Sequence, residues 1–304
     1  MFSKTFLVNQ IVNFLSEKEF EVTLTDGCFD IAARGESLIL IKVFVNIDSI
    51  SQDHASSLKA ISYFVSAYPL VISMKTNRDF LANDTVYSRF LIPVMTPELF
   101  GKFLDEEKIP YIQSAKGQHT ISINALLLRK KRKEMSLSLN DLAREIGISK
   151  KSLYEIENNR TNPRADTVKK LESFLGIYLQ ANLELKKFDS VEFLDARNNF
   201  QKKVSSELSR IGIENSSIFK APFEIIGKEN FSIITSLSQN SKKILHAEKV
   251  KRISSIFSSK AIYVSKKSEE DNVEGIPVIL ESELLEIESS KELAKIIEEK
   301  VSKT

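Results

Sequence analysis

The chain has 304 residues, 42% of them hydrophobic and 28% charged, with 9 Gly and 7 Pro; this is the composition of a globular protein of about two domains, not of a disordered chain. Its one cysteine, Cys28, excludes an internal disulfide and a cysteine-based zinc site within one chain, and suits a reducing cytosol. The apolar run "LILIKVFV" is interrupted by Lys42 and falls far short of the ~20 residues of a membrane span, so no membrane association is expected and the location should be cytoplasmic.

The N-terminal "MFSKTFLVNQIVNFL" lacks the pattern of a cleavable signal. It reads as an amphipathic helix over 4–16, with Phe6, Leu7, Ile11, Phe14 and Leu15 on one side. Next, "FEVTLTDGCFDIAARGESLILIKVFV" is rich in β-branched residues and broken at Asp26-Gly27 and Gly35-Glu36, which predicts three short strands joined by tight turns. Ser51 to Ala67 reads as a helix, "PLVISM" as a buried strand, and "IPVMTPELFGKFL" as a strand leading into a helix. That order defines an α/β domain with a central mixed sheet over 1–108. "PYIQSAKGQHTISI" follows as a hairpin linker over 109–123, turning at Lys116-Gly117. Its position favours bracing the next region; lying along a nucleic-acid backbone is the other role that fits.

From Asn124 the pattern is wholly helical. Ile123, Leu126, Leu127 and Met135 line one face of a first helix, with "RKKRK" on the other. In "SLSLNDLAREIG", Ser138 and Asp141 form a capping-box pattern. Leu139, Leu142, Ala143 and Ile146 make the apolar face, and Gly147 suits a left-handed helix end. Ile148 packs at the turn and Ser149 caps the next helix, which buries Leu153 and Ile156 and exposes Lys150, Lys151, Ser152, Tyr154, Glu155 and Asn158. After "NNRTNP" another helix runs over 164–175, with Val168, Leu171 and Leu175 inward. Charge is uneven: residues 124–187 hold 14 Lys and Arg against 8 Asp and Glu, a balance of +6, which leaves −4 for the rest of a chain whose net is +2. A basic middle between acidic flanks is the footprint expected if only the middle touches phosphates.

The C-terminal third repeats the first. "CFDIAARGESLILIKVF" matches "PFEIIGKENFSIITSLS", with Phe29-Asp30-Ile31 on Phe223-Glu224-Ile225; "PLVISM" matches "KAIYVS"; and "IPVMTPELF" matches "IPVILESELL". A helix precedes each copy, the second over 199–210. A period this long means domain duplication, giving a second α/β domain over 190–304. The expected fold class is therefore α/β plus all-α. Two related α/β domains with central mixed sheets flank a four- to five-helix domain at 124–180. The closing "SSKELAKIIEEKV" is an amphipathic helix expected to pack on its own domain.

Two helices joined by a tight glycine-containing turn are a helix-turn-helix arrangement. The stretch "LSLNDLAREIGISKKSLYEIENNRTNPRADTVKKLESFLGI" resembles the Cro/CI-type (XRE) DNA-binding domain, with the motif itself at Leu139 to Asn158. Ala143, Gly147, Ile148, Leu153, Ile156 and the "ENNRTNP" exit carry the resemblance. It implies double-stranded DNA as partner, with Ser149 at the recognition-helix N-terminus near phosphate and Lys150, Lys151, Ser152 and Glu155 facing base edges. Asn158, Asn159 and Arg160 take the family's phosphate-contact positions, and Tyr154 takes either role or covers the core. One departure is Leu139, where many members carry a Gln that anchors the recognition side chains.

The first domain's element order resembles the restriction-endonuclease-like fold. Active members hold Mg²⁺ with a carboxylate on one strand and a carboxylate-x-Lys on the next. Here Asp30 and Lys42 stand at the outer positions, but residue 40 is Leu; the second copy has Glu224, Ile234 and Ser236. One carboxylate is too little to hold the metal, so Asp30 and Lys42 are expected to be a structural ion pair and neither copy catalytic. His54, His119 and His246 are scattered, with no second ligand at metal spacing. No catalytic residue, metal or cofactor is expected. The whole layout resembles the archaeal HTH-type transcriptional regulatory proteins, which implies a regulator binding DNA as a homodimer and acting with the transcription machinery. A Mg²⁺-dependent nuclease targeted by the helix-turn-helix, and a protein-binding transcription adaptor, are the alternatives.

Overall fold

Helix α1 (Lys4–Glu17) begins where the Ser3 hydroxyl accepts the Phe6 N–H, and it buries Leu7, Ile11 and Leu15. Strands β1 (Glu21–Leu24), β2 (Ile31–Arg34) and β3 (Leu38–Asn46) form an antiparallel meander with Ile31 opposite Ile41. Its turns fall at the two glycine-containing breaks in the sequence. Helix α2 (Gln52–Phe64) starts in a capping box between Ser51 and His54. Strand β4 (Tyr68–Lys75) follows. The short β5 (Tyr87–Arg89), which no alternation in the sequence announces, pairs with β6 (Ile92–Met95). Thr96 then caps α3 (Pro97–Leu104), with Pro97 in the first turn, where its missing N–H costs nothing. The strand order is β1-β2-β3-β4-β6-β5. This structure, a computed structural model, describes residues 3–105, 109, 111–115, 118–238, 247–268 and 270–302.

The hairpin comprises β7 (Ile112–Ala115) and β8 (Gln118–Ile121); its turn at Lys116-Gly117 lies outside the described residues. The helical region is α4 (Ala125–Glu134), α5 (Leu139–Ile146), α6 (Lys150–Glu157) and α7 (Ala165–Leu175).

The second α/β copy is built from α8 (Asn199–Arg210), β9 (Glu214–Ser217), β10 (Ile225–Lys228), β11 (Ser232–Ser238), α9 (Ala247–Phe257), β12 (Lys260–Ser265), β13 (Asn272–Val273), β14 (Ile276–Leu280) and α10 (Glu281–Glu286). Its sheet order, β13-β14-β12-β11-β10-β9, matches the first sheet strand for strand. Strands β11, β12 and β14 run parallel, while β9–β10, β10–β11 and β13–β14 are antiparallel, so the sheet is mixed. A further helix, α11 (Ser290–Ser302), buries Leu293 and Ile297 in the core of its own domain. Among the described residues no helix is long and apolar enough to cross a membrane.

Residues 1–72 and 186–304 form one compact unit, and 73–185 another. These units do not follow the domain bounds 1–108, 109–123, 124–180 and 190–304 drawn from the sequence. Within the first unit the two copies use equivalent elements on each other: α2 packs on β10, and α9 packs on β1 and β2. At the centre of this seam the Cys28 N–H donates to the Lys220 carbonyl. Around it, the Phe219 N–H donates to Ser57 Oγ at 3.0 Å, Ser232 Oγ donates to the Phe64 carbonyl at 3.0 Å, and the Arg34 guanidinium donates to the Ile256 carbonyl at 2.7 Å.

Gly27 sits in this seam at φ +150°, and a Cβ built on it would lie 2.0 Å from the Lys220 carbonyl oxygen. Gly27→Ala should therefore lower stability by about 1–3 kcal/mol. Gly212→Ala, at φ +90° but with open space around it, should cost less. Chemical denaturation of both variants checks the difference.

Candidate nucleic-acid interface

The helix-turn-helix rests on its caps. Ser138 Oγ accepts the Asp141 N–H at 3.1 Å, and Asp141 accepts the Ser138 N–H at 3.2 Å. The Ser138 hydroxyl also donates to Asp141 Oδ2 at 2.6 Å, and this bond first, then that from the Ser138 N–H, holds the Asp141 carboxyl below its usual pKa. Gly147 ends α5 at φ 76°, and Ser149 Oγ accepts the Ser152 N–H at 3.0 Å to start α6. Leu142, Ala143, Ile146, Leu153, Ile156, Val168, Leu171 and Leu175 form the core, with Leu139 and Ile148 packed at its margin.

The first helix differs from its sequence reading. Helix α4 buries Ala125, Leu128 and Arg132, whereas Leu126 is 75% and Met135 41% exposed. Arg132, placed by the sequence reading in the basic run on the face opposite the apolar one, turns inward. Its Nε and Nη2 donate to the two carboxylate oxygens of buried Glu157, at 2.6 and 2.8 Å, and its Nη1 donates to the Leu137 carbonyl at 2.8 Å. The Glu157 hydrogen bonds raise the Arg132 pKa further. One bidentate pair thus links α4, the approach to α5, and the end of α6. Sequence reasoning missed both residues. Glu157 had a readable signal: it stands four residues after Leu153 on the inward face, where a carboxylate requires a partner.

On the outer face of α6, Lys150 and Lys151 are exposed and engage no carboxylate among the described residues. Ser152 Oγ is 2.8 Å from Ser149 Oγ, so it belongs to the cap as well as to the surface. Glu155 is half-buried and 3.4 Å from Arg160, whose guanidinium lies over the exposed Tyr154 ring at 5.5 Å. Asn158 donates from Nδ2 to the Tyr154 carbonyl at 2.7 Å, and Asn159 turns the chain at φ 54°. The structure thus brings all nine sequence-selected residues onto one helix and its exit.

The nuclease-like position in the first copy is a closed ionic cluster. Asp30 Oδ1 accepts from Lys4 at 2.7 Å and from Lys42 at 3.1 Å, while Oδ2 accepts the Val43 N–H at 2.8 Å. Lys42 also donates to the Gly27 carbonyl, and burial lowers its pKa against the pull of Asp30. Leu40 is fully buried. A carboxylate already shared by two ammonium groups, with leucine at the second ligand position, does not fit a divalent cation. Among the described residues no group of three or more His, Cys, Asp and Glu could hold a metal ion; His246 lies outside them. In the second copy Glu224 accepts the Leu237 N–H at 2.8 Å, its pKa raised by burial, with Ser236 and Ile234 on the neighbouring strand.

Comparison with known proteins agrees with this geometry. A helix-turn-helix family matches residues 128–181, and a PD-(D/E)XK superfamily domain matches residues 4–109. Proteins named "Putative HTH-type transcriptional regulatory protein" match almost end to end. That of Methanothermobacter thermautotrophicus is 30% identical, covering 97% of this chain and 96% of the relative. That of Archaeoglobus fulgidus is 28% identical, covering 97% of each, and that of Methanobrevibacter smithii is 29% identical, covering 99% of each. No solved structure matches the chain. The fold and the motif define a helix-turn-helix protein with a nuclease-like N-terminal domain and a second sheet of the same strand order. Within that class the chain belongs to the archaeal family of HTH-type transcriptional regulatory proteins.

Removing one member of the buried Arg132–Glu157 pair leaves the other as an uncompensated charge. Arg132→Met or Glu157→Leu alone should cost about 3–5 kcal/mol, and the double substitution should recover most of the loss, as read by thermal unfolding. His54 makes a second prediction. Burial first, then Lys42 and Lys220, push its imidazole down to about 4 from an unfolded value of 6.5. Between those values the unfolded chain binds the extra proton, so this contribution to stability is intact above pH 6.5 and is lost as pH falls towards 4. His54→Gln should therefore flatten the fall of Tm with pH in that window.

Proposed function

We propose that the chain is a sequence-specific DNA-binding transcriptional regulator that reads the major groove with α6. The observation that carries this reading is the pair Lys150 and Lys151. They are exposed at the start of a capped helix whose other face is locked into the core by Leu153, Ile156 and Glu157. Lysine ammonium groups there match guanine O6 and N7, and Glu155 matches cytosine N4. Ser149, Ser152, Tyr154, Asn158, Asn159 and Arg160 complete the surface, the last three on phosphates. The names of the full-length relatives support transcription as the process. Because domains of this kind read half-sites about one helical turn apart, the proposal includes a homodimer on DNA, acting in the cytoplasm with the transcription machinery.

The PD-(D/E)XK match to residues 4–109 raises a nuclease as the second reading. The Lys4–Asp30–Lys42 cluster opposes it, and the flanking domains are assigned a scaffolding role without catalysis.

Selection from a random DNA library with the purified protein, repeated on Lys150→Ala/Lys151→Ala, tests the reading. A defined motif should be enriched by the natural sequence and lost in the double variant, with affinity for that motif falling at least tenfold, since each good base contact supplies about 1–3 kcal/mol. No enriched motif, with weak binding unchanged by the substitutions, would sink it and favour the protein-binding adaptor.

A further inference from the structure

Beyond the recognition helix, we infer that Asn162 and Gln113 are positioning residues for the phosphate grip and that the β7–β8 hairpin is a working part of the DNA-reading head. This inference rests on the DNA-binding reading above.

The chain leaves α6 through an irregular stretch, from Asn158 to the Arg164 that opens α7. Asn158, Asn159 and Arg160 sit here, and all three are exposed. The turn at Asn159 and the Arg160 N–H bonded back to the Glu155 carbonyl at 2.9 Å set only the first part of this stretch. The remainder is held from outside the helix-turn-helix. Asn162 uses its side-chain amide as a clamp, donating from Nδ2 to Gln113 Oε1 at 2.9 Å and to Ser122 Oγ at 3.2 Å. The Ile121 N–H donates to the Pro163 carbonyl at 2.9 Å, and Thr120 forms an antiparallel bridge with Arg164. Both strands of the hairpin, with Ser122 just after the second, therefore fasten the exit stretch at three consecutive positions, Asn162, Pro163 and Arg164.

The hairpin can serve as a fixed support because it is itself held. Ile121 and Ile123 lie in the helix-turn-helix core, with Ile112 packed against it. The Ser122 N–H donates to the Tyr111 carbonyl at 2.9 Å, and the Ala181 N–H donates to the Ser122 carbonyl at 2.8 Å. On its other edge, Val86 donates to the Ile112 carbonyl at 2.7 Å and bridges Gln113. Gln113 thus stands between the strand region beside β5 and the exit of α6. The chemistry also suits the task. An amide clamp between two neutral side chains keeps its strength in salt and adds no charge beside an approaching phosphate, whereas a carboxylate at either position would repel it. With the exit stretch already ordered, DNA binding does not have to order it, which is the general origin of affinity through preorganisation. Such a clamp strengthens binding to any sequence and carries no base preference.

The test uses the full chain and two duplexes, one bearing the selected motif and one of random sequence. Asn162→Ala, Gln113→Leu and the double variant are titrated at several salt concentrations. Each single variant should weaken binding to both duplexes alike, by about fivefold or more, and lower the slope of log affinity against log salt by about 1, the signature of one lost phosphate contact. The double variant should be no weaker than the worse single, because both remove one contact. Faster amide exchange at 158–162 with an unchanged Tm separates positioning from unfolding. Should Asn162→Ala fail to fold, Gln113→Leu acts on the same bond from the hairpin side. Unchanged affinity and salt slope, a loss confined to the selected duplex, or a loss that follows a lowered Tm would each overturn the inference. If the natural protein binds neither duplex, the regulator reading falls with it; if it binds and selects while the variants bind equally well, only the clamp falls.

Discussion

The buried pair of Arg132 and Glu157 is the constraint around which the DNA-reading head is assembled. Neither charge tolerates an apolar interior alone, and together they satisfy each other through two parallel hydrogen bonds, with the spare guanidinium N–H on the Leu137 carbonyl. Because the three partners come from α4, the segment before α5, and the last turn of α6, one rotation and depth of α6 satisfies all of them. That setting presents Lys150 and Lys151 outward at the other end of the helix. Local caps make each helix; the ion pair decides how they stand to one another.

The flanking domains follow a different logic. Both copies keep the same six-strand order although their polar residues have diverged. In the first, the charges that a nuclease would use on a metal are spent internally, Asp30 between Lys4 and Lys42. In the second, Glu224 keeps a raised pKa in an apolar setting, and burial followed by that carboxylate pushes the Tyr263 phenol up to about 12. The copies then bury equivalent elements against each other. Gly27 and Lys220 meet at the centre so closely that only a residue without a side chain fits. The shared sheet topology is retained because burial of the same apolar faces rewards it even where the polar residues differ.

Much of this was legible in local patterns. Ser138 with Asp141, Gly147, Ser149 and the 3.6-residue spacing of Leu142, Ile146, Leu153 and Ile156 specify the helix-turn-helix, because capping and amphipathicity act over four or five residues. The paired segments around Asp30 and Glu224 likewise announce a duplicated fold. Short β5 was not legible, since three residues carry no alternation to read.

The sequence by itself determined where the two helices of the helix-turn-helix begin and end, that the two flanks share one fold, and which outer residues of α6 are polar. Only the tertiary structure decided which side of α4 faces the core, that Arg132 leaves its basic run to pair with Glu157, and that Gln113 reaches Asn162 from 49 positions away. The reason is physical. In "ALLLRKKRK" the apolar and basic residues are contiguous, so helical spacing does not single out one face, and a long arginine has buried and solvated conformations of similar local energy. The choice between them is made by a carboxylate supplied from another helix, and by a hairpin whose place on the core no local pattern records.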